Sequence, residues 1–297
     1  MPELPEVAAL ASDLRRRIGG RVIGRLDVYA FAALKTVEIQ PSALSGERVE
    51  DATRHGKFLD LRIGSEHLII HLARAGWITW RSDPPKTAVR PGRGPLAARL
   101  TILDEGEDGS GGGAFAGCLD ITEAGTKKNL ALYLVRDPAD VPGIARLGPD
   151  PLDGAFTFEV FAGILAAAGR AQIKGVLRDQ SRIAGIGNAY SDEILHVARM
   201  SPFAPAAMPR DAALRLYDAV GSTLREAVER ADGLPAADLK REKKSAMRVH
   251  GRFGEACPVC GDTIRQVIFS DSTLQYCPTC QTGGRVLADR VLSRLLK

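Results

Sequence analysis

Long apolar runs are missing from this chain: nowhere in its 297 residues is there an unbroken stretch of the roughly 18 that a membrane-crossing helix needs. A basic-then-apolar leader is missing too, because Met1 is followed by Pro2-Glu3-Leu4-Pro5-Glu6, and the expectation is a cytoplasmic protein with no membrane partner. No internal repeat occurs, which sets aside solenoid and propeller architectures. Cysteine is scarce. Of five, four stand as two close pairs, Cys257/Cys260 and Cys277/Cys280, and Cys118 is alone. In a reducing compartment such pairs point to metal instead of disulfides, and Cys118 in its apolar stretch reads as a buried small hydrophobe. Charge of one sign is in small excess only; a net +4 is compatible with a polyanionic partner without requiring one.

What is present is ordinary for a folded chain, 45% hydrophobic and 26% charged, at a length that exceeds one usual domain. Val7, Leu10, Leu14 and Ile18 recur at helical spacing and Gly19-Gly20 ends the pattern. Strand-like runs follow at 21–30, 57–63, 67–72, 98–103 and 129–135. The proline-rich 81–95 and glycine-rich 104–117 stretches read as exposed loops, and 137–152 reads as a linker. Thereafter the pattern is helical, at 160–168, 173–180, 188–198 and 210–231. The fold class is α+β and multidomain.

Cys257 to Cys280 spell C-x2-C-x16-C-x2-C. Each pair converges two thiolates on one tetrahedral zinc, the spacer is long enough for a hairpin, and four sulfurs leave no open position, so the zinc is structural. Between Lys240 and Arg252 six basic residues accompany one acid, Glu242, and Arg285, Arg290, Arg294 and Lys297 follow the finger. That flanking suits phosphate binding; the alternatives are a solvated helix face and a finger used for stability or protein contact. Gly185-Ile186-Gly187-Asn188 opens a helix whose first N–H groups suit an anion, or simply joins two helices. Pro2 would become a secondary amine on removal of Met1, able to attack an electrophilic carbon and form an iminium ion.

These residues stand in a recognisable order: Pro2-Glu3-Leu4-Pro5-Glu6-Val7, His55-Gly56-Lys57-Phe58-Leu59, Asp179-Gln180 through Gly185 to Glu193, and the finger ending Tyr276-Cys277-Pro278-Thr279-Cys280-Gln281. Over nearly its whole length the chain resembles the formamidopyrimidine-DNA glycosylase and endonuclease VIII family. The resemblance implies an N-terminal β-sandwich with flanking helices over 1–136, a helix-two-turns-helix DNA-binding domain over 152–246, a zinc finger over 247–282 and a basic tail over 283–297. It implies a monomeric base-excision-repair enzyme on damaged double-stranded DNA, a glycosylase and abasic-site lyase cutting by β- or β,δ-elimination. A non-catalytic damage-binding relative is the alternative. Carried over, Pro2 is the nucleophile, Glu3 the acid/base group, Glu6 a local structural residue and Lys57 a phosphate holder. Lys174 and Asn188 contact phosphates, and Glu193 is a scaffold residue.

Two departures stand out. Ala73-Arg74-Ala75 occupies the place where relatives often carry a methionine wedge, so Arg74 is expected to fill the gap left by an everted base. Ser272 occupies the place of a phosphate-binding arginine in the zinc hairpin, so Arg265 or Arg285 is expected to reach that phosphate. The segment after Gly233, a lid in oxidised-purine enzymes, is short and lysine-rich here, a feature of the endonuclease VIII side.

Overall fold

The computed structural model describes residues 1–84, 91–92, 94–104, 113–269 and 272–287. Its contacts divide into two compact units, one of residues 1–146 with 231–240, the other of 147–230 with 241–297.

The first unit begins with helix α1 (Leu4–Ile18), where Val7, Leu10, Leu14 and Ile18 form the expected buried stripe and Leu4 extends it, none more than 2% exposed. Burying such side chains stabilises by about 2 kcal/mol each. Arg15, Arg16 and Arg17 occupy the last turn, where cations complement the helix dipole. Eight strands follow: β1 (Val22–Val28), β2 (Val49–His55), β3 (Phe58–Ile63), β4 (Glu66–His71), β5 (Gly76–Arg81), β6 (Leu96–Leu103), β7 (Phe115–Glu123) and β8 (Ala131–Val135). They form two antiparallel sheets, ordered β1-β6-β7-β5 and β2-β3-β4-β8. Ile23, Leu59, Leu61, Leu68, Ile70, Leu100, Ile102, Leu119, Ile121 and Leu132 join in a single apolar core, and α1 lies on β2 and β3.

Three of these strands, β2, β5 and β7, have no counterpart among the expected runs. The glycine-rich stretch expected as a loop over 104–117 is corrected at its end, because β7 starts at Phe115. Gly117 belongs to the strand for a packing reason: a Cβ there would stand 2.1 Å from the Trp80 ring. Residues 105–112, and 85–90 and 93 of the other expected loop, lie outside the described residues. One buried ion pair crosses the first sheet. Arg99 donates to both oxygens of Asp120, at 2.6 and 2.9 Å, and Arg81 adds a bond at 2.5 Å.

The same core contains residues from far along the chain. Ala231 and Leu239 are buried in it, with Leu234 and Ala236 packed against it. Asp232 accepts from Ser12 Oγ at 3.0 Å, and the Lys240 ammonium lies 4.3 Å from the centre of the Trp77 ring.

In the second unit the helices are α2 (Phe158–Ala168), α3 (Ile173–Arg178), α4 (Asn188–Val197) and α5 (Arg210–Ala231); α6 (Ala236–Ala246) starts in the first unit and passes into the second after Lys240. Thr157 caps α2 through a bond from the Val160 N–H, and Gly169 ends it with φ of +55°. Helix α4 is buried from Ala189 through His196, polar residues included. A hairpin of β9 (Arg265–Ile268) and β10 (Thr273–Tyr276) leads into the short helix α7 (Pro278–Thr282). Among the described residues no helix is long and apolar enough to cross a membrane.

Candidate functional site

The reactive end of the chain is built by one helix start. Pro2 is buried, and Glu3 is the extended N-cap of α1, 2% exposed. The Glu3 N–H donates to Glu6 Oε2 at 2.8 Å, and the Glu3 carbonyl accepts from the Val7 N–H at 3.0 Å. Glu6, 3% exposed, thus serves the helix start, the structural place expected for it. Lys57 stands at the tip of the β2–β3 hairpin, a two-residue turn between the paired His55 and Phe58. Gly56 opens that turn with φ of +54°, a value glycine adopts freely. Lys57 is only 8% exposed. Across the sheet His71 pairs with Phe58, ring centroids 4.7 Å apart, and burial followed by the Lys57 charge pushes its pKa below the ordinary histidine value. The imidazole is therefore a neutral neighbour for the lysine. Arg74 is exposed in the turn between β4 and β5, directly after Ala73, which holds a φ of +49°. A non-glycine residue there is strained, and such strain collects where a side chain must be aimed.

A polar turn precedes α4. Gln180 accepts from the Gly185 N–H at 3.0 Å and donates to the Ile186 carbonyl at 2.7 Å, closing the loop in which Gly185 has φ of +87°. Lys174 is a correction to the expected phosphate contact. It is 5% exposed, and its ammonium donates to the Asn188 carbonyl (3.1 Å), Ser191 Oγ (2.7 Å) and Asp192 Oδ1 (2.6 Å). An ammonium has three hydrogens, and all three are engaged within the fold. Lys174 is a strut between α3 and α4. Asn188 donates Nδ2 to the Thr273 carbonyl at 2.7 Å, so its side chain links the start of α4 to the β9–β10 hairpin.

Asp192 and Glu193 organise the approach to the finger, at 1% and 4% exposure. Besides Lys174, Asp192 bonds His250 Nδ1 at 2.7 Å and accepts from the Gln275 N–H at 3.2 Å. Glu193 accepts from three consecutive backbone N–H groups, Arg248 at 2.7, Val249 at 2.9 and His250 at 2.8 Å. Burial pushes its carboxyl pKa up, and those donors pull against it. The scaffold role expected for Glu193 is present, but its partners lie more than fifty positions away. Sequence reading missed the role of Asp192; two adjacent acids between Ala189-Tyr190 and Ile194-Leu195 were the available signal.

The four paired cysteines come together. Their sulfurs all lie within 4.8 Å of one another, with Cys260 and Cys277 at 3.3 Å and Cys257 and Cys280 at 3.9 Å. Bonds of about 2.3 Å to a tetrahedral zinc require sulfur separations near 3.8 Å, so the residues fit the ion. Burial pushes the Cys277 thiol well up and that of Cys280 up to about 11. Four thiolates at neutral pH therefore require a cation among them. Gln281 accepts from the Cys277 N–H at 2.9 Å and donates to the Met200 carbonyl at 2.9 Å, pinning the finger to the chain just beyond α4.

The expected run of free cations before the finger is only partly free. Lys240 lies over Trp77, Lys243 lies 4.7 Å from the Tyr190 ring centre, and the Arg252 guanidinium donates to Met247, Ser245 and Glu255. Lys244 and Arg248 are exposed, as are Arg265 on β9 and Arg285 beyond α7. Arg290, Arg294 and Lys297 lie outside the described residues.

These features coincide with known proteins. Residues 1–101 match the formamidopyrimidine-DNA glycosylase N-terminal domain, 147–237 the H2TH domain of the same enzyme, and 254–283 the zinc finger found in FPG and IleRS. An uncharacterised formamidopyrimidine-DNA glycosylase-like protein of Mycobacterium tuberculosis is 56% identical over 160 residues, 54% of this chain and 99% of its own. The formamidopyrimidine-DNA glycosylase of Thermus thermophilus is 32% identical over 300 residues, 96% of this chain and all of its own. The crystal structure of MutM (Fpg) from that organism superposes with a TM-score of 0.74 at 31% identity, covering 94% of this chain and 98% of the other. MutM in complex with DNA containing carbocyclic 8-oxo-G gives 0.79 at 25% identity, covering 95% and 100%. Matched along nearly its whole length in both sequence and fold, the chain belongs to the formamidopyrimidine-DNA glycosylase family.

Proposed function

We propose that this chain removes oxidised bases from double-stranded DNA and cuts the strand at the resulting abasic site, with the Pro2 nitrogen as nucleophile once Met1 has been removed. The observation that carries the reading is the burial of Pro2 and Glu3 at the locked start of α1, in a chain of this family. The Pro2 lone pair attacks C1′ of the damaged nucleotide, and the glycosidic bond breaks with its electron pair leaving on the base, which takes up a proton. Pro2 loses its own proton, C1′–O4′ opens as Glu3 protonates O4′, and an iminium ion results. Loss of a 2′ proton then expels the 3′ phosphate by cleavage of C3′–O3′, and water releases Pro2.

Lys57 holds a phosphate beside the lesion from the hairpin tip. Arg74, aimed by the strained Ala73, fills the space left in the base stack. Arg265 and Arg285, both exposed, reach phosphate where Ser272 cannot. Asn188 joins them through the second hydrogen of its amide nitrogen while the first stays on the Thr273 carbonyl. Zinc, when bound, holds the hairpin that carries Arg265 in shape. The protein acts as a cytoplasmic monomer.

Borohydride with DNA carrying an abasic site is expected to trap a covalent adduct of the wild-type protein and far less of Pro2→Gly. Equal trapping would remove Pro2 from the chemistry, and tight binding with no adduct in the wild type would leave a damage-binding protein. Product lengths separate β- from β,δ-elimination.

A further inference from the structure

His196 lies on α4 with 3% of its surface exposed. Its Nε2 is 3.3 Å from Sγ of Cys257, and its Nδ1 is buried with no hydrogen-bond partner. We propose that His196 donates its Nε2–H to the zinc-bound thiolate of Cys257, and so acts as a positioning residue that ties the metal site to α4. A neutral imidazole carries one N–H, on one nitrogen or the other. On Nδ1 that hydrogen would be buried without an acceptor, while the Nε2 lone pair faced the electron-rich sulfur. On Nε2 it makes a charge-assisted bond to sulfur and leaves only an unshared lone pair at Nδ1.

Four sulfurs already complete a tetrahedron, so the imidazole acts from outside it. An N–H bond withdraws electron density from the thiolate, which lowers its basicity and protects the zinc–sulfur bond from protons and chelators. The same helix holds the backbone around the finger through Asn188, Asp192 and Glu193. His196 differs from these three in reaching a ligand sulfur. Phenylalanine would fill its place without an N–H, and glutamine would offer an amide N–H.

The test uses the full-length zinc-loaded protein with His196→Phe and His196→Gln. His196→Phe is expected to release zinc to a chromophoric chelator roughly tenfold faster, at the lower end of what loss of such a partner costs in metal affinity, and His196→Gln to recover most of the difference. With cobalt in place of zinc, the wild-type spectrum should be that of four sulfurs, and its sulfur-to-metal charge-transfer bands should move to longer wavelength in His196→Phe. Equal release rates in His196→Phe and wild type overturn the proposal, as does a wild-type cobalt spectrum of three sulfurs and one nitrogen. Should His196→Phe fail to fold, nitrogen NMR of the wild-type imidazole decides: a protonated Nε2 with a bare Nδ1 supports the bond, and the opposite tautomer overturns it.

Discussion

Two pairs of buried acids invite comparison. Glu3 and Glu6 sit three positions apart at the start of α1, and Asp192 and Glu193 sit side by side within α4. All four are nearly inaccessible, yet they are held differently. The bond from the Glu3 N–H to Glu6 closes within one helical turn, so it forms whenever α1 forms. The α4 pair is satisfied by Lys174, His250, Gln275 and the 248–250 backbone, groups as far as 83 positions away. The reactive end is thus preassembled by local structure, whereas the finger's seat exists only when distant segments have arrived. Ligand, ion and solution conditions should act unequally on the two.

Metal removal should expose that inequality most strongly. Structural zinc contributes on the order of 10 kcal/mol to a finger of this kind. Stripping it is expected to abolish hydrogen-exchange protection at 248–250 and in β10 while α1 stays protected; equal loss in α1 would break the contrast. Asp192→Ala comes next, taking the one carboxylate from the buried Lys174 ammonium and leaving it only the neutral Asn188 and Ser191 oxygens, at a cost of about 3–5 kcal/mol by denaturant unfolding. Lys174→Met in that background should recover part of the loss, because it removes the stranded charge. A smaller effect belongs to His71 in the first unit. Its folded pKa is depressed, so the unfolded chain binds the proton more readily. Its contribution is fully present above about pH 6.5 and is lost as pH falls through the folded value. Thermal melting from pH 7 downward should show this slope, flattened in His71→Phe. Smallest of all is Asp211→Ala on α5, whose bond to Arg215 at 3.0 Å is solvent-exposed on both sides. Its unfolding midpoint should stay the nearest to wild type of the four, because solvent screens such a pair.

The same division between local and distant partners decides what could be read from residues alone. Helices α1 and α5 were visible because their apolar positions repeat at 3.6, and four cysteines announced their metal by spacing. The Glu3–Glu6 link is an i, i+3 relation and equally legible. Strand β2 was not, because Val-Glu-Asp-Ala-Thr-Arg-His offers only Val49 and Ala52 to the core. Strand β7 was hidden by Gly117, which looks like a loop residue until Trp80 is seen to cover it. Lys174 was expected at a phosphate from its place in the family motif; the buried carboxylate that claims it lies on another helix, 18 positions on. The lysines of α6 misled in the same way, since Trp77 and Tyr190 lie far from them in sequence.

The inclusion of Ala231 and Leu239 in the first core bears on the order of synthesis. A ribosome that has delivered residues 1–146 has made both sheets and α1, but the apolar surface that receives these two side chains is still bare. That surface stays open to water, or to a chaperone, until the last third of the polypeptide emerges. The unit carrying the reactive end is therefore among the last to be completed, although its sequence is the first to be translated.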